Sequence, residues 1–246
     1  MMKEKGFTLA EVLITLGLLG VVIAMTLPAL IQQHQKREIT VALEKMYTTL
    51  MQAANTYQAI NEVYITDFDT SLSAKDFMEE YFNPFLNISM VCKDDNDCWY
   101  GKRQPKAINQ TTNITIDYGV ILGDGRILGV NTLDGVVVFF FDADGPSGFN
   151  RSGHDIFNFY LINSRTIGTY KNCEYVMPTL RSGLYPGGYS ACYRPFNLYS
   201  REDLLGTAID RSCNKNTRVV MRQAGDACAA LIMQDGWEMK KDYPAW

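Results

Sequence analysis

Gly6-Phe-Thr-Leu-Ala-Glu11-Val-Leu-Ile-Thr-Leu-Gly-Leu-Leu-Gly20-Val-Val-Ile-Ala-Met-Thr-Leu-Pro28-Ala-Leu-Ile31 decides how this chain of 246 residues is read. No charged residue occurs in positions 12–31. Twenty uncharged, mostly apolar residues in helical form are long enough to cross a hydrocarbon core. A short polar leader, residues 1–6 with Lys3 and Lys5, stands ahead of them. One carboxylate, Glu11, interrupts the start. An ionisable group at membrane depth costs on the order of 2.5–3.5 kcal/mol, so it is read as functional by default. A signal peptide that is cut off and lost explains the lysines, but the apolar run exceeds the usual ~7–15-residue core of such a peptide. A plain signal anchor explains the length but neither Glu11 nor Gly6-Phe7.

The whole string, Gly-Phe-Thr-Leu-x-Glu followed by an uncharged helix, resembles the N-terminus of the type IV pilin and type II secretion pseudopilin family. The resemblance covers residues 1–31. It implies that Gly6 precedes the prepilin peptidase cut, and that Phe7 becomes the new N-terminus, whose amine is methylated. It implies that Glu11 is the family's glutamate at the fifth mature position, an assembly residue. The physics agrees with these roles. A leader carrying Lys3 and Lys5 stays on the cytoplasmic side, where the peptidase works. After cutting, the Phe7 ammonium and the Glu11 carboxylate tolerate an apolar setting only when paired. In a filament, Glu11 of one subunit neutralises the amine of its neighbour and fixes axial register, a device of specificity more than of stability. Pro28 removes a backbone donor and clashes one turn back. It reads either as the helix-bending proline many pilins carry or as the end of the membrane segment.

The formal net charge is −4, and hydrophobic content is ordinary at 47%, so disorder is excluded. No Lys/Arg cluster points to nucleic acid at the scale of a domain. Tyr and Phe are abundant, at 14 and 12, which suits a β-rich core. Cys92, Cys98, Cys173, Cys192, Cys213 and Cys228 all follow the apolar segment. An even count in an exported chain reads as a disulfide framework. Many pairings are open to six cysteines; nearest-neighbour pairing, Cys92–Cys98, Cys173–Cys192 and Cys213–Cys228, is the expectation. Zinc is disfavoured because no Cys-x-x-Cys exists and the two histidines, His34 and His154, lie far from most cysteines.

Residues 32–61 continue the helix in amphipathic form. Ile39, Leu43, Met46, Leu50, Ala54, Tyr57 and Ile60 recur at three- and four-residue steps. One helix over about residues 7–60 would span roughly 80 Å at ~1.5 Å per residue, so its second half needs a protein partner. Residues 62–113 read as irregular, apart from a short helix over 73–82 capped by Ser71 or Ser73. The acidic stretch 92–98 reads as a loop that a disulfide could close. Strand signals follow: a hairpin of 114–122 and 126–131 around Gly123-Asp-Gly125, then 135–141 and 156–162. Residues 228–236 read as a helix ended by Gly236, with an edge strand at 237–239 and an aromatic tail tucked on the domain. The expected fold is therefore α+β: a long N-terminal helix packed on an antiparallel β-sheet of at least four strands. Its parts are the leader 1–6, the transmembrane or filament-core helix 7–31, its amphipathic continuation 32–61, and a globular domain 62–246 with a disulfide-bearing C-terminal region. Pilins resemble this architecture.

Asp142-Ala-Asp144-Gly-Pro-Ser-Gly-Phe-Asn150-Arg-Ser-Gly-His-Asp155 is the candidate metal stretch. Alternate carboxylates on a glycine-rich loop suit Ca²⁺, with Asp142, Asp144, Asn150 and Asp155 as ligands. The segment resembles a loop of pseudopilin-type proteins, with Phe149 a departure from that pattern. A loop held by Asx turns is the other reading. Enzyme signatures are absent: there is no Walker loop, His-Glu-x-x-His or dinucleotide glycine pattern, and no cofactor is expected apart from calcium. Asp155 and Ser152 beside His154 make no triad, which is assembled across space.

The expected function is a bacterial prepilin-like structural subunit, assembled into a type IV pilus or type II secretion pseudopilus. Before assembly it would be a single-pass inner-membrane protein with its domain outside the cytoplasm. Its expected partners are prepilin peptidase, other pilin or pseudopilin subunits and a separate assembly ATPase. The alternative is a minor pilin or adhesin-type subunit of a pilus or of a DNA-uptake filament, the one setting in which nucleic acid would be a partner.

Overall fold

The computed structural model describes residues 8–93, 98–99, 105–109, 114–133, 135–146, 148–164, 183–187, 199–207, 212–216 and 225–246. The chain divides into two compact units, Met1–Glu38 and Ile39–Trp246.

The first unit is the leading part of helix α1, Leu9–Asn61, which runs 53 residues with Pro28 inside it. Its large apolar side chains are exposed among the described residues, from 42% at Val12 to 80% at Leu9. The two hydroxyls of this stretch are satisfied within the helix, Thr15 Oγ1 donating to Val12 O (3.0 Å) and Thr26 Oγ1 to Val22 O (2.9 Å). A helix closed on itself in this way is one of the few structures that can stand in lipid, where no water serves backbone or hydroxyl groups.

In the second unit, α1 becomes amphipathic at Ile39. Ile39, Ala42, Leu43, Met46, Leu50, Ala53 and Ala54 are buried. Residues 32–38 contribute nothing to that face, and Ile60, the last member of the expected stripe, is 65% exposed. The helix outruns the surface it packs on. Helix α2, Ala74–Tyr81, starts at Ser73, whose Oγ accepts the Asp76 N–H (3.2 Å).

Six strands form one antiparallel sheet in sequence order: β1 Ile88–Val91, β2 Tyr118–Leu122, β3 Ile127–Leu133, β4 Val136–Asp142, β5 Ile156–Ile162 and β6 Gly183–Pro186. Side chains alternate across it. Val137, Phe139, Phe141, Phe157, Phe159 and Leu161 join the core shared with α1 and α2, and Tyr47 of α1 meets Phe159 at 5.7 Å. Val136, Val138, Phe140, Tyr160 and Ile162 point the other way, into a second core with Trp99, Ile114 and Ile116. Both faces of β4 and β5 are thus covered, which is why their sequences are continuous apolar runs.

Several elements differ from expectation for physical reasons. Residues 114–117 are not strand. Ile116 instead covers the second face so closely that a Cβ on Gly129 would lie 2.7 Å from it. β1 lies in the stretch expected to be irregular and β6 in a glycine- and proline-rich one. Both are four-residue edge strands that take their form from the strand they pair with. The expected strand at 237–239 is absent: Gly236 and Trp237 both have positive φ (79° and 61°), turning the chain back so that Trp237 N–H bonds Ile232 O (2.8 Å). Trp237 then packs on Tyr47 at 5.7 Å.

Helices α3, Arg201–Leu205, and α4, Cys228–Gln234, complete the domain. The C-terminal tail is docked, with Tyr243 buried and its hydroxyl donating to Gly153 O (2.6 Å). Arg201 bridges Asp235 (2.7 Å) and Asp242 (2.7 Å), tying α3 to that tail.

Candidate functional site

Two sites were expected: the start of α1 and the loop that follows β4.

At the start of α1, Thr8-Leu9-Ala10-Glu11 folds as a capping box. The Thr8 N–H and hydroxyl both donate to Glu11 Oε2 (2.8 Å each), and the Glu11 N–H returns a bond to Thr8 Oγ1 (3.3 Å). Each side chain satisfies an amide that the first helical turn leaves without a partner. All described hydrogen bonds of the Glu11 carboxylate end on Oε2. The local cap therefore ties the carboxylate to Thr8 through that one oxygen. Gly6 and Phe7 lie outside the described residues. Thr8 carries no charge and so does not stand out beside Glu11, although Thr-x-x-Glu before an apolar run is the sequence form of a capping box.

After β4, the four expected calcium ligands take unlike positions. Asp142 ends the strand fully buried, and its Oδ2 accepts the Trp99 indole N–H (2.7 Å). Asp142 Oδ1 has no hydrogen-bond partner among the described residues. Asp144 stands at the solvent edge. Asp155 is buried and spends both oxygens on its own loop, Oδ2 accepting the Asn150 N–H (2.8 Å) and Oδ1 the Arg151 N–H (2.6 Å). These bonds hold Asn150 at φ 53°, a left-handed conformation that asparagine tolerates better than most residues. Calcium asks for six to eight oxygens, supplied largely by carboxylates. Among the described residues no three His, Cys, Asp or Glu side chains are placed to hold a metal ion. Asp155, through these two amides, organises the loop as a cap.

Electrostatics follow from that packing. Burial, with the nearby charges of Asp155 and Asp144, pushes Asp142 well above the usual carboxylate range. Burial and the Asp155 charge push Asp144 up as well. A folded-state value raised above the unfolded one adds stability below the unfolded value and loses it as pH climbs through the folded one. The domain is therefore expected to lose melting temperature as pH rises from about 4 toward neutrality. Asp142→Asn keeps an acceptor for Trp99, so it is expected to flatten that dependence and raise the neutral-pH midpoint by several degrees in thermal melts of the purified chain. Calcium is expected to leave the midpoint of the unaltered chain where it is. A calcium-dependent rise abolished by Asp142→Asn would instead assign a metal ion to this loop.

Of the cysteines, Cys92 pairs with Cys98 and Cys213 with Cys228. Cys173 and Cys192 lie outside the described residues. The first bridge lies flat against β2: a Cβ on Gly119 would meet both sulfurs at 3.2–3.3 Å. His154, set aside as a loop histidine, is buried and stacks on Trp246 (4.1 Å between ring centroids, 12° between planes), with Phe149 at its edge (4.6 Å). It is a packing residue of the C-terminal tail.

Two family models match the chain. The prokaryotic N-terminal methylation motif covers residues 1–27, and it is the signature of type IV pilins and pseudopilins. A family of unknown function, DUF6613, covers residues 29–246. No curated protein and no solved structure matches the chain.

Proposed function

We propose that this chain, which belongs to the DUF6613 family and opens as a type IV pilin-like precursor, is a structural subunit of a type IV pilus or type II secretion pseudopilus. The methylation motif implies processing by prepilin peptidase and assembly with other pilins. On this reading the chain is cut after Gly6, methylated on Phe7 and held in the membrane by the leading part of α1. It is then drawn into the filament by an ATPase carried on another protein.

One observation carries the proposal. An apolar helical segment with no cover of its own runs without a break into a helix that is the spine of a folded domain. A segment meant to be discarded needs no such continuity. A structural subunit does, because the apolar rod is what it contributes to the filament interior, while the domain forms the outside. Contacts that repeat head to tail without closing generate such filaments. The disulfides suit a domain that folds outside the cytoplasm.

Intact-mass measurement of the mature chain tests this. The expected first residue is Phe7, carrying one methyl group. A chain that begins downstream of Ile31, or one that keeps Met1 in cells with a working peptidase, would overturn it.

A further inference from the structure

The Cys92–Cys98 bridge borders an open cavity of about 360 Å³. Both cysteines line it, with Trp99, Lys75, Lys93 and Asp117 around them. The two halves of the bridge are not equally covered. Cys98 is fully buried in the second core, whereas Cys92 is half-buried, just past the exposed edge strand β1. Each half is also held in place without the other. The Cys92 N–H donates to Gly119 O (2.9 Å), and Trp99, next to Cys98, donates its indole N–H to Asp142 (2.7 Å). Opening the bridge therefore leaves both cysteines anchored to the sheet. The Cys213–Cys228 bridge is the opposite case: both residues are fully buried, and a Cβ on Gly153 would lie 2.4 Å from the Cys228 sulfur.

We propose that Cys92 is a site of reversible S-thiolation by a small zwitterionic thiol of the cysteine type. Exchange at a disulfide depends on access for the thiolate and on which sulfur it attacks. Here the cavity brings a small molecule to the bridge, and Cys92 is the half that solvent reaches. A volume of this order suits a small molecule. Charge selects within that class. Lys75 and Lys93 are cationic and Asp117 is anionic, so a thiol of one sign meets like charge as well as unlike. A thiol that carries both an ammonium and a carboxylate can answer both. The step is an exchange and needs no oxidant. The incoming thiolate sulfur bonds to Cys92 Sγ, the bond between Cys92 and Cys98 breaks, and its electron pair leaves on Cys98 Sγ, which takes a proton from water. The reverse attack by the Cys98 thiolate expels the small thiol and restores the bridge. Because both cysteines keep their anchors, closure needs no refolding.

The test incubates the folded full-length chain with cysteine, without denaturant. Samples are quenched with an alkylating agent at successive times and mapped by peptide mass spectrometry. The expected first product carries a cysteinyl group on Cys92 and an alkyl group on Cys98, and forms at least about tenfold faster than Cys213–Cys228 opens. Opening of both bridges at similar rates, a cysteinyl group on Cys98 instead, or no opening of Cys92–Cys98 would overturn the proposal. Cysteine is also expected to outpace cysteamine, a cationic thiol, and 3-mercaptopropionate, an anionic one, after each rate is divided by that thiol's rate on a small model disulfide. Equal normalised rates, or a ranking that follows charge in one direction, would overturn the zwitterionic class. Two variants check the asymmetry with the bridge removed. Cys98→Ser leaves the Cys92 thiol and Cys92→Ser leaves the Cys98 thiol. Cystine is expected to modify the first at least about tenfold faster than the second, with Cys213–Cys228 closed in both. Equal rates would overturn the assignment to Cys92. None of these measurements needs a filament, so the filament reading stands or falls separately.

Discussion

Glu11→Ala is expected to leave cleavage after Gly6 intact and to abolish filaments, and the reason is visible at the start of α1. The proposed function gives Glu11 two tasks, one of them the cap seen in the structure. Oε2 closes the capping box with Thr8 (2.8 Å from both its N–H and its hydroxyl). On the filament reading proposed above, Oε1 would meet a neighbour's Phe7 ammonium. Losing the first task costs about 1 kcal/mol, the usual worth of an N-terminal cap. Losing the second leaves a buried ammonium without its counter-charge, which costs about 3–5 kcal/mol when one partner of a buried pair is removed. At ~1.4 kcal/mol per factor of ten, the second loss alone lowers the association constant by about a hundredfold or more. Cleavage should not follow, since the peptidase acts before any neighbour is present. Glu11→Gln separates the two tasks, because the amide oxygen still accepts from Thr8 while the charge is gone. It is expected to behave like Glu11→Ala in assembly. Filament yield from sheared cells, with the processed-to-unprocessed ratio read on the same samples, measures both. Normal filaments from either variant would remove the pairing role of Glu11.

How much of this was readable in advance depended on where the determining interactions lie along the chain. The methylation motif was readable because its parts are local: Gly6, Phe7 and Glu11 lie within six consecutive positions ahead of an uncharged run. β4 and β5 were readable because burial on both faces demands unbroken runs such as Val136-Val-Val-Phe-Phe-Phe141. β1 was not, because Ile88-Ser-Met-Val91 has little period of its own and becomes a strand by pairing with Tyr118–Leu122. The loop after β4 was ambiguous for a chemical reason. Alternate Asp residues suit a cation and a turn equally well, and the two amides that Asp155 accepts from its own loop could not be assigned from spacing. The contact between Trp99 and Asp142 joins residues 43 apart, and no local pattern foretells it. Nor does any local pattern show that Tyr160 and Asn158 both donate to buried Asp226.

Removing the Cys213–Cys228 bridge is expected to cost the domain more than removing Cys92–Cys98. The first closes a separation of 15 residues and the second one of 6. On the loop-closure account, these restrict the unfolded chain by about 3 and about 2 kcal/mol. Native surroundings widen the gap. Cys213 and Cys228 are both fully buried, and Cys228 opens α4, whose residues through Ile232 are buried without exception. The bridge adds a covalent tie between α4 and the segment beside α3, since the Cys213 N–H bonds Leu204 O (2.8 Å) and Leu204 is itself core. The Cys92–Cys98 bridge instead lies over Gly119 near the sheet edge, where β1 is largely exposed. For a domain of this size, about 3 kcal/mol corresponds to a fall of roughly 6–12 °C in melting temperature. The double variant Cys213→Ser/Cys228→Ser should show that fall by circular dichroism, and Cys92→Ser/Cys98→Ser a smaller one. The reverse order would mean that the acidic loop, and not α4, is the part of the domain that depends on oxidation. A subunit of the kind proposed must form the larger bridge before it meets its neighbours, because α3, α4 and the docked tail complete the surface on which the sheet rests. Export into a reducing medium should therefore yield a cleaved chain that fails to assemble even with Glu11 in place.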